Sequence, residues 1–565
     1  MAKDPKYIFV VGGVMSSVGK GVVSGSLAMV LQSKGYSVTA MKADPYINVD
    51  AGTMNPTEHG EVFVTEDGDE TDQDIGNYER FLGKNIYSVN YMTTGRVYLE
   101  VIERERNLMY KGKCVEVVPH IPEEIIRRIK LAQKQSQADI TIIEVGGTVG
   151  EYQNILFLEA GRMMKSQHPN DVAFVLVSYL PVPGSIGEMK TKPTQHAVRL
   201  MNEAGLQPDV VVGRSSKSID AVRRKKIAQF CSVDENMVIS APDCESIYEV
   251  PLLFEKENLG EKLLKRFGLK SKSVPPAQDR LKQLRKVVKV IKTVDQKVRI
   301  GVVGKYFQTG EFVLADSYIS VIEALKHAAW SQKRQPELVW IDAEDYEKNP
   351  KQLKELSSFD AVLIPGGFGS RGVEGKIMAI QYVRENKIPY FGLCYGMQLA
   401  AVEVARHVAG LKGAHTVEID ENPEHPIIVV NPNQKENIEQ NRYGGTLRLG
   451  AYDCVLSPGT KTQKAYGVKK ISERHRHRYE FNNAYVEQLE KAGLIVSGVN
   501  PQQNLVEIME LEDHPWFVGT QFHPEFLSSP LKPHPLFVGF VKAAMTRSNG
   551  AKKTVKPTKR KITKR

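Results

Sequence analysis

Short apolar runs that end in turn signals recur along this chain, and no other feature constrains its fold as tightly. Tyr7–Val11 breaks into Gly12-Gly13 and is followed by a helical stretch, Val22–Lys34. Ser37–Met41, Ile140–Val145, Ala173–Val177 and Val210–Val212 continue the series. A second series begins at Arg299, with Ile300–Val303, Leu338–Ile341, Ala361–Ile364 and Tyr390–Leu393. Strand-like runs alternating with helical stretches are the pattern of a parallel sheet covered by helices. The expected fold class is therefore α/β, with two doubly wound parallel-sheet domains. Ligands bind such sheets at the carboxyl ends of the strands, so the chemistry is expected in the turns that follow these runs.

Between the two series, from Leu263 to Lys297, basic residues become dense and Pro275-Pro276 interrupts. Leu281, Leu284, Val288 and Ile291 fall at helical spacing there, which predicts one amphipathic helix with a solvated basic face. The expected organisation is a first domain over 1–268, a linker over 269–298, a second domain over 299–545 and a basic disordered tail over 546–565. Arg547–Arg565 holds nine Lys or Arg and no acid, so it carries nine of the ten net positive charges. The body is nearly neutral, and no specific nucleic-acid partner is expected. With 41% hydrophobic and 25% charged residues the chain is not largely disordered. No stretch reaches the ~18 apolar residues of a membrane span, and no hydrophobic signal region follows Met1–Lys6. Five cysteines without close pairing argue for a reducing, cytoplasmic setting.

In the first half, Gly12-Gly13-Val14-Met15-Ser16-Ser17-Val18-Gly19-Lys20-Gly21 follows a strand and opens a helix. Backbone N–H groups in such a loop can cradle phosphate oxygens, and Lys20 can reach a terminal phosphate. The usual G-x-x-x-x-G-K-[ST] spacing is not met, and Gly21 stands where a hydroxyl would hold magnesium. Carboxylates must then hold the metal: Asp72 and Asp74, and Glu144 at the end of a buried run. Lys42 likewise ends a strand and is expected to touch substrate. Lys190-Thr191-Lys192-Pro193-Thr194-Gln195-His196 gathers two lysines, two hydroxyls and an amide, which suits a polyphosphate and a base edge or any polar loop.

In the second half, Gly392-Leu393-Cys394-Tyr395-Gly396 follows a strand and precedes a helical stretch, Met397–His407. It is the cysteine counterpart of the G-x-S-x-G elbow that exposes a nucleophile. The N–H of Tyr395, with that of Gly367 in Gly366-Gly367-Phe368-Gly369, would face a developing oxyanion. Gln521-Phe522-His523-Pro524-Glu525 supplies His523 to take the thiol proton and Glu525 to orient the imidazole. Cys114, Cys231, Cys244 and Cys454 lack such settings and read as structural. Arg474-His475-Arg476-His477-Arg478 places both histidines on one face of a strand, with no third metal ligand evident; a site for anions or a carboxylate substrate is expected there.

With these residues in hand, the chain strongly resembles the CTP synthases over about Tyr7–Ala544. The most specific stretches are Ser16–Gly21, Lys42–Asp50, His59–Val64, Gly146–Gly150, Lys190–Gln195, Gly444–Gly450 and Glu473–Tyr479, and they occur in the family's order. The resemblance implies a P-loop-like amidoligase domain followed by a class I glutaminase domain. ATP would phosphorylate O4 of UTP, and ammonia from glutamine, or free ammonia, would displace the phosphate at C4. It places ATP on Ser17, Val18, Gly19, Lys20, Gly21, Val22 and Asp74, with Lys42 supporting phosphoryl transfer and Mg²⁺ on Asp74 and Glu144. UTP, or CTP as feedback inhibitor, would meet Ser16, Glu151, Tyr152, Gln153, Lys190, Thr191, Lys192, Pro193, Thr194, Gln195 and Lys226. Glutamine would be held by Gly367, Tyr395, Gly396, Met397, Gln398, Glu418 and Arg478, with Cys394, His523 and Glu525 catalytic. GTP, an allosteric activator in the family, would use Phe368 and Arg371, and the assembly would be a homotetramer, in some members stacked into filaments. Ser370 stands where an aromatic residue is expected, Glu151-Tyr152-Gln153 where Asp-Ile-Glu is usual, and Tyr395 where Leu is common.

Overall fold

The computed structural model describes residues 4–185, 187–304, 308–309, 312–313, 315–431 and 445–554. Gly444 and residues 555–565 of the basic tail lie outside the described residues. The chain divides into two compact units, one of residues 1–55 and 65–289, the other of 290–565 together with 56–64. No described helix is long and apolar enough to cross a membrane.

The first unit is built on a seven-stranded sheet: β1 Lys6–Gly12, β2 Val38–Asp44, β3 Tyr91–Thr93, β4 Ile140–Val145, β5 Val172–Tyr179, β6 Val210–Ser215 and β7 Val238–Pro242. Their order is β3-β2-β4-β1-β5-β6-β7, parallel throughout. Nearly every residue of β1, β2 and β4 is buried, as expected of strands covered on both faces. The strand order reverses around β1, and the loops leaving β1, β2 and β4 meet at that switch point. Two helices complete the site's frame. α1, Lys20–Ser33, starts behind Gly19, whose φ of 82° is left-handed. α2, Gln73–Leu82, is capped by Asp72, whose carboxylate accepts from the Asp74 N–H at 2.7 Å. A third, α3, Lys192–Glu203, begins inside the cluster picked out by its polar residues.

α4, Arg280–Thr293, is the amphipathic helix expected in the linker. Leu281, Leu284, Val288 and Ile291 are buried, while Lys282, Arg285, Lys286 and Lys289 are exposed.

The second unit carries a nine-stranded sheet: β8 Lys297–Gly304, β9 Gln335–Asp342, β10 Ala361–Ile364, β11 Tyr390–Leu393, β12 Arg448–Leu456, β13 Lys470–His477, β14 Leu494–Asn500, β15 Leu505–Leu511 and β16 Phe517–Thr520. The order is β9-β8-β10-β11-β16-β15-β14-β12-β13. The first five in that order are parallel, and β15, β14, β12 and β13 extend the sheet antiparallel. Helices α5 Val373–Glu385 and α6 Tyr395–His407 pack on one face, while α7 Pro535–Thr554 contributes Leu536, Phe537, Phe540 and Val541 to the core on the other. The segment 56–64 belongs to this unit: Phe63 packs edge-on against Phe526 at 4.9 Å, and the Val64 carbonyl accepts from Arg474 at 3.1 Å. α7 continues to Thr554, so the first nine residues of the expected disordered tail are helical. Ala544 is buried in the core with Ala543 and Met545 packed against it, so core packing holds the helix up to the first residue of that tail.

Candidate active sites

The first site lies at the carboxyl ends of β1, β2 and β4. Parallel register pairs Lys42 with Glu144, so the two side chains meet at the strand ends. Lys42 Nζ lies 2.5 Å from Asp74, 3.1 Å from Glu144, 3.4 Å from Asp72 and 3.8 Å from Asp44. Lys20 Nζ donates to the Gly147 carbonyl at 2.7 Å. Gly12 and Gly21 are glycines because of this crowding. A β-carbon on Gly12 would lie 2.8 Å from the Gly147 oxygen, and one on Gly21 only 1.8 Å from Asp74 Oδ1. The position that lacks a metal-binding hydroxyl is thus the position that admits a carboxylate.

Electrostatics set these groups apart. Burial pulls Lys42 down, but Asp72, Asp74, Glu144 and Asp44 outweigh it and hold the ammonium charged well above its ordinary range. Burial pulls Lys20 below its ordinary value, with Glu144 opposing. Burial, then Asp74, pushes Glu144 up to about 7, and burial pushes Asp44 up to about 6. Burial would raise Asp74 too, but Lys42 holds it below the usual carboxylate range. Tyr78 donates to Glu144 Oε2. Buried acids in excess over two lysines form an oxygen-rich pocket with surplus negative charge, a donor set that fits a divalent cation.

Among the remaining nucleotide candidates, Thr194 reaches this loop through Ser178. Thr194 and Ser178 hydroxyls lie 2.9 Å apart, and a β-carbon on Gly13 would meet Ser178 Oγ at 2.8 Å, so the start of α3 backs onto the phosphate-type loop. Gln195 donates to Thr191 Oγ1 at 3.0 Å, and Lys190 pairs with Glu188 at 2.7 Å. Ser16, Ser17 and Lys192 are exposed. Glu151 accepts from Thr148 at 2.6 Å and from Gln153 at 3.1 Å, leaving Tyr152 exposed. Lys226 is exposed on the helix Ala221–Cys231, and no side-chain contact among the described residues brings it into the cluster. Sequence reasoning missed Asp44, Tyr78, Ser178 and Arg214. Asp44 is two residues beyond Lys42 on one strand, and Tyr78 is one turn beyond Asp74 on one helix, so spacing could have found both. A β-carbon on Gly19 would lie 3.0 Å from Arg214 Nη1, a proximity that no local pattern announces.

The second site lies at the carboxyl ends of β10, β11 and β16. Cys394 has φ 50° and ψ −99°, a strained conformation for a residue bearing a side chain, and it is 5% exposed. The flanking glycines are needed for closeness: a β-carbon on Gly392 would strike the Tyr390 hydroxyl at 2.5 Å, and one on Gly396 the Ile364 carbonyl at 2.3 Å. Register pairs Leu393 with Thr520, and Cys394 N–H donates to the Thr520 carbonyl at 2.6 Å. His523 therefore arrives beside the thiol. Its Nδ1 is 2.7 Å from Glu525 Oε1, and its Nε2 is a buried nitrogen without a conventional hydrogen bond, its neighbour being Cys394. Burial lowers His523, but Glu525 and Cys394 outweigh it and push the imidazole up to about 10. Gly366 completes the fit, since a β-carbon there would lie 2.9 Å from the imidazole Cε1.

The turn holding Gly367, Phe368 and Gly369 is fixed by two expected glutamine contacts. Glu418 accepts from the Gly369 N–H at 2.6 Å, and the Tyr395 hydroxyl donates to the Gly369 carbonyl at 3.2 Å. Tyr395 also lies under Lys376 Nζ, 5.2 Å from the ring centroid. Gly396 and Met397 follow in the first turn of α6, and Gln398 after them is buried. Arg478 donates to Thr446 Oγ1 at 3.2 Å. Phe368 and Arg371 are exposed, the latter pairing with Glu344. Arg474–Arg478 departs from the expected anion patch in part. Arg474 and His475 are fully buried and His477 nearly so, His475 Nδ1 lying 2.8 Å from His477 Nε2. Burial, with Arg448 nearby, holds both imidazoles neutral, well below their ordinary value. Sequence alternation gave their shared face but not its burial. Burial also pushes Cys231 up to about 11 and Cys454 higher still, which suits their reading as inert structural thiols.

A strained cysteine elbow facing a His–Glu pair in one α/β unit, and a buried lysine–carboxylate cluster behind a glycine-rich loop in another, define a two-site enzyme of the glutamine amidotransferase class. The family model described as CTP synthase N-terminus matches residues 6–269, and that of the class-I glutamine amidotransferases matches 313–543. CTP synthase of Caldanaerobacter subterraneus subsp. tengcongensis is 50% identical over 96% of this chain and 98% of its own length. That of Carboxydothermus hydrogenoformans is likewise 50% identical over 96% and 98%. A solved glutaminase domain of the Trypanosoma brucei enzyme, with bound acivicin, is 36% identical and covers 44% of this chain and 94% of its own, with a TM-score of 0.41. The chain belongs to the CTP synthase family.

Proposed function

We propose that this chain is a glutamine-hydrolysing carbon–nitrogen ligase that makes CTP from UTP in two half-reactions. The observation that carries the reading is the pair of side-chain clusters, Lys42 with Asp74 and Glu144 in one unit and Cys394 with His523 and Glu525 in the other, in a chain of this family. In the first, the loop Ser17–Val22 holds the ATP phosphates through backbone N–H groups and Lys20, while Ser16, Glu151–Gln153, Lys190–Gln195 and Lys226 hold UTP. The γ-phosphoryl group passes to O4 of UTP, and ammonia then displaces phosphate from C4. Lys42, charged and fixed among carboxylates, balances charge along the transferring group. Asp74 and Glu144 would hold Mg²⁺, which neutralises phosphate charge when bound.

In the second, Cys394 Sγ attacks the glutamine carboxamide carbon. The oxyanion faces the N–H groups of Tyr395 and Gly367. His523 has taken the thiol proton and returns it to the departing ammonia, and water then cleaves the thioester to glutamate. Glu525 keeps the imidazole oriented and charged. Glu418 and Arg478 match the α-ammonium and α-carboxylate of glutamine. GTP acts at the Phe368–Arg371 turn, CTP returns to the UTP site as feedback inhibitor, and the protein works in the cytoplasm as a homotetramer able to stack into filaments. The family's known behaviour supports these last assignments.

The decisive experiment follows CTP formation from UTP, ATP and Mg²⁺ with glutamine or ammonium, with and without GTP. CTP is expected from both nitrogen sources, with GTP raising the glutamine-dependent rate. No CTP from either source, in a folded preparation, would overturn the reading.

A further inference from the structure

We propose that Gln521 is a further catalytic residue of the glutaminase site, whose carboxamide donates a hydrogen bond to the Cys394 sulfur and stabilises it as the thiolate. The proposal rests on the reading of Cys394 as nucleophile. Gln521 is fully buried, and its Nε2 lies 3.7 Å from Cys394 Sγ. Its backbone is pinned from the two strands that flank β16. The preceding carbonyl, that of Thr520, accepts from Cys394 N–H, and its own N–H donates to the Glu507 carbonyl at 2.8 Å.

The network around it decides which end of the amide faces sulfur. Gln398 lies 3.0 Å from the Tyr479 carbonyl and 3.2 Å from Gln521 Oε1. A backbone carbonyl only accepts, so Gln398 must turn its nitrogen toward Tyr479. The second hydrogen on that nitrogen then points to Gln521, which must answer with its oxygen. Gln521 is left with its nitrogen toward Cys394. Turning Gln398 over would set two acceptors together, and turning Gln521 over would set two donors together. The Tyr479 carbonyl is itself held by His477 Nδ1 at 3.1 Å.

An amide is a donor that cannot lose its proton in the working pH range, so the bond to sulfur strengthens when the thiol gives its proton to His523. It complements the imidazolium on the other side of the sulfur. Gln398 meanwhile spends both amide hydrogens on the protein and offers glutamine only its carbonyl oxygen, an acceptor for a ligand N–H.

The test is the pH dependence of Cys394 alkylation by iodoacetamide in full-length protein, alongside steady-state glutaminase kinetics. Gln521→Met keeps the shape and removes the donor. Its alkylation curve is expected to move up by about one pH unit, and kcat for glutamine to fall about tenfold with KM changed less than about twofold, the signature of a lost transition-state contact. A curve superimposable on that of the unaltered protein, in a variant with cooperative thermal unfolding, overturns the proposal. Should Gln521→Met not fold, Gln521→Glu keeps the volume and places an acceptor against sulfur. Its curve must move up further, and an unmoved one overturns the proposal. Cys394→Ala separates the two readings. Glutaminase activity surviving in it would overturn the nucleophile itself, whereas an inactive Cys394→Ala with an unmoved Gln521→Met curve overturns the role of Gln521 alone.

Discussion

Gly21 shows how a missing methyl group can set a site's chemistry. A β-carbon there would lie 1.8 Å from Asp74 Oδ1, far inside van der Waals contact, with Asp74 tied to Lys42 and to Asn77 at 3.1 Å. Gly21→Ala must therefore push Asp74 out of the lysine–carboxylate cluster. CTP formation from ammonium is expected to fall at least ~10-fold while glutamine hydrolysis persists, since a 1 Å displacement of a positioning group is worth about that much or more. Assaying both activities on one preparation checks this. Two companion substitutions divide the chemistry the other way. Cys394→Ala is expected to abolish glutamine-dependent synthesis yet spare synthesis from added ammonia, and Lys20→Ala to remove synthesis from either source. Loss of both activities in folded Cys394→Ala, or ammonia-dependent synthesis retained in Lys20→Ala, would contradict the roles assigned. The residue types and their order were legible in the sequence for all of these. The steric reason for Gly21 was not, because Asp74 is 53 positions away and only the start of α2 brings it there.

At the scale of elements, β13 and the elbow repay comparison. Alternation along Arg474–Arg478 gave the shared face of His475 and His477, and the antiparallel pairing of β13 with β12 turns that face toward Arg448 and the core. Both imidazoles are neutral in the fold and titrate near pH 6.5 when unfolded. Below that pH the unfolded chain binds more protons, so stability is lost as pH falls, by about 1.4 kcal/mol per pH unit for each histidine. His523 acts with the opposite sign: raised to about 10, its stabilisation is complete below the unfolded value near 6.5 and declines as pH rises from there toward 10, and this contribution is the same with or without His475. Denaturant midpoints at pH 7 and 5.5 should therefore differ less for His475→Asn, which keeps a donor where Nδ1 stood, than for the unaltered protein. An equal difference would mean that His475 carries its proton in the fold. The elbow was legible as a motif, but its strain sits on Cys394, and the glycines serve close approach to Ile364 and Tyr390.

For the molecule as a whole, each half-reaction is assigned to residues of one unit, and no residue of the basic tail is assigned to either. Deleting residues 555–565 is expected to leave CTP formation unchanged while weakening salt-sensitive retention on DNA, a loss of counterion-releasing charge. A fall in CTP formation would assign the tail a part in the enzyme. The strands, the glycine loop, the cysteine elbow, the His-x-Glu pair and the amphipathic helix α4 could all be read from the chain, because each is written within about ten residues by local periodicity and turn chemistry. What tertiary structure decided lies between segments far apart in sequence. It set Lys42 against Glu144 by strand register, packed 56–64 into the second unit, added four antiparallel strands to a parallel core, and turned Gln521 toward Cys394 through Gln398 and a backbone carbonyl. Local sequence fixes which backbone path a segment prefers. Which side chains then share a buried polar pocket depends on register and burial, where every donor must find an acceptor that the local sequence does not name.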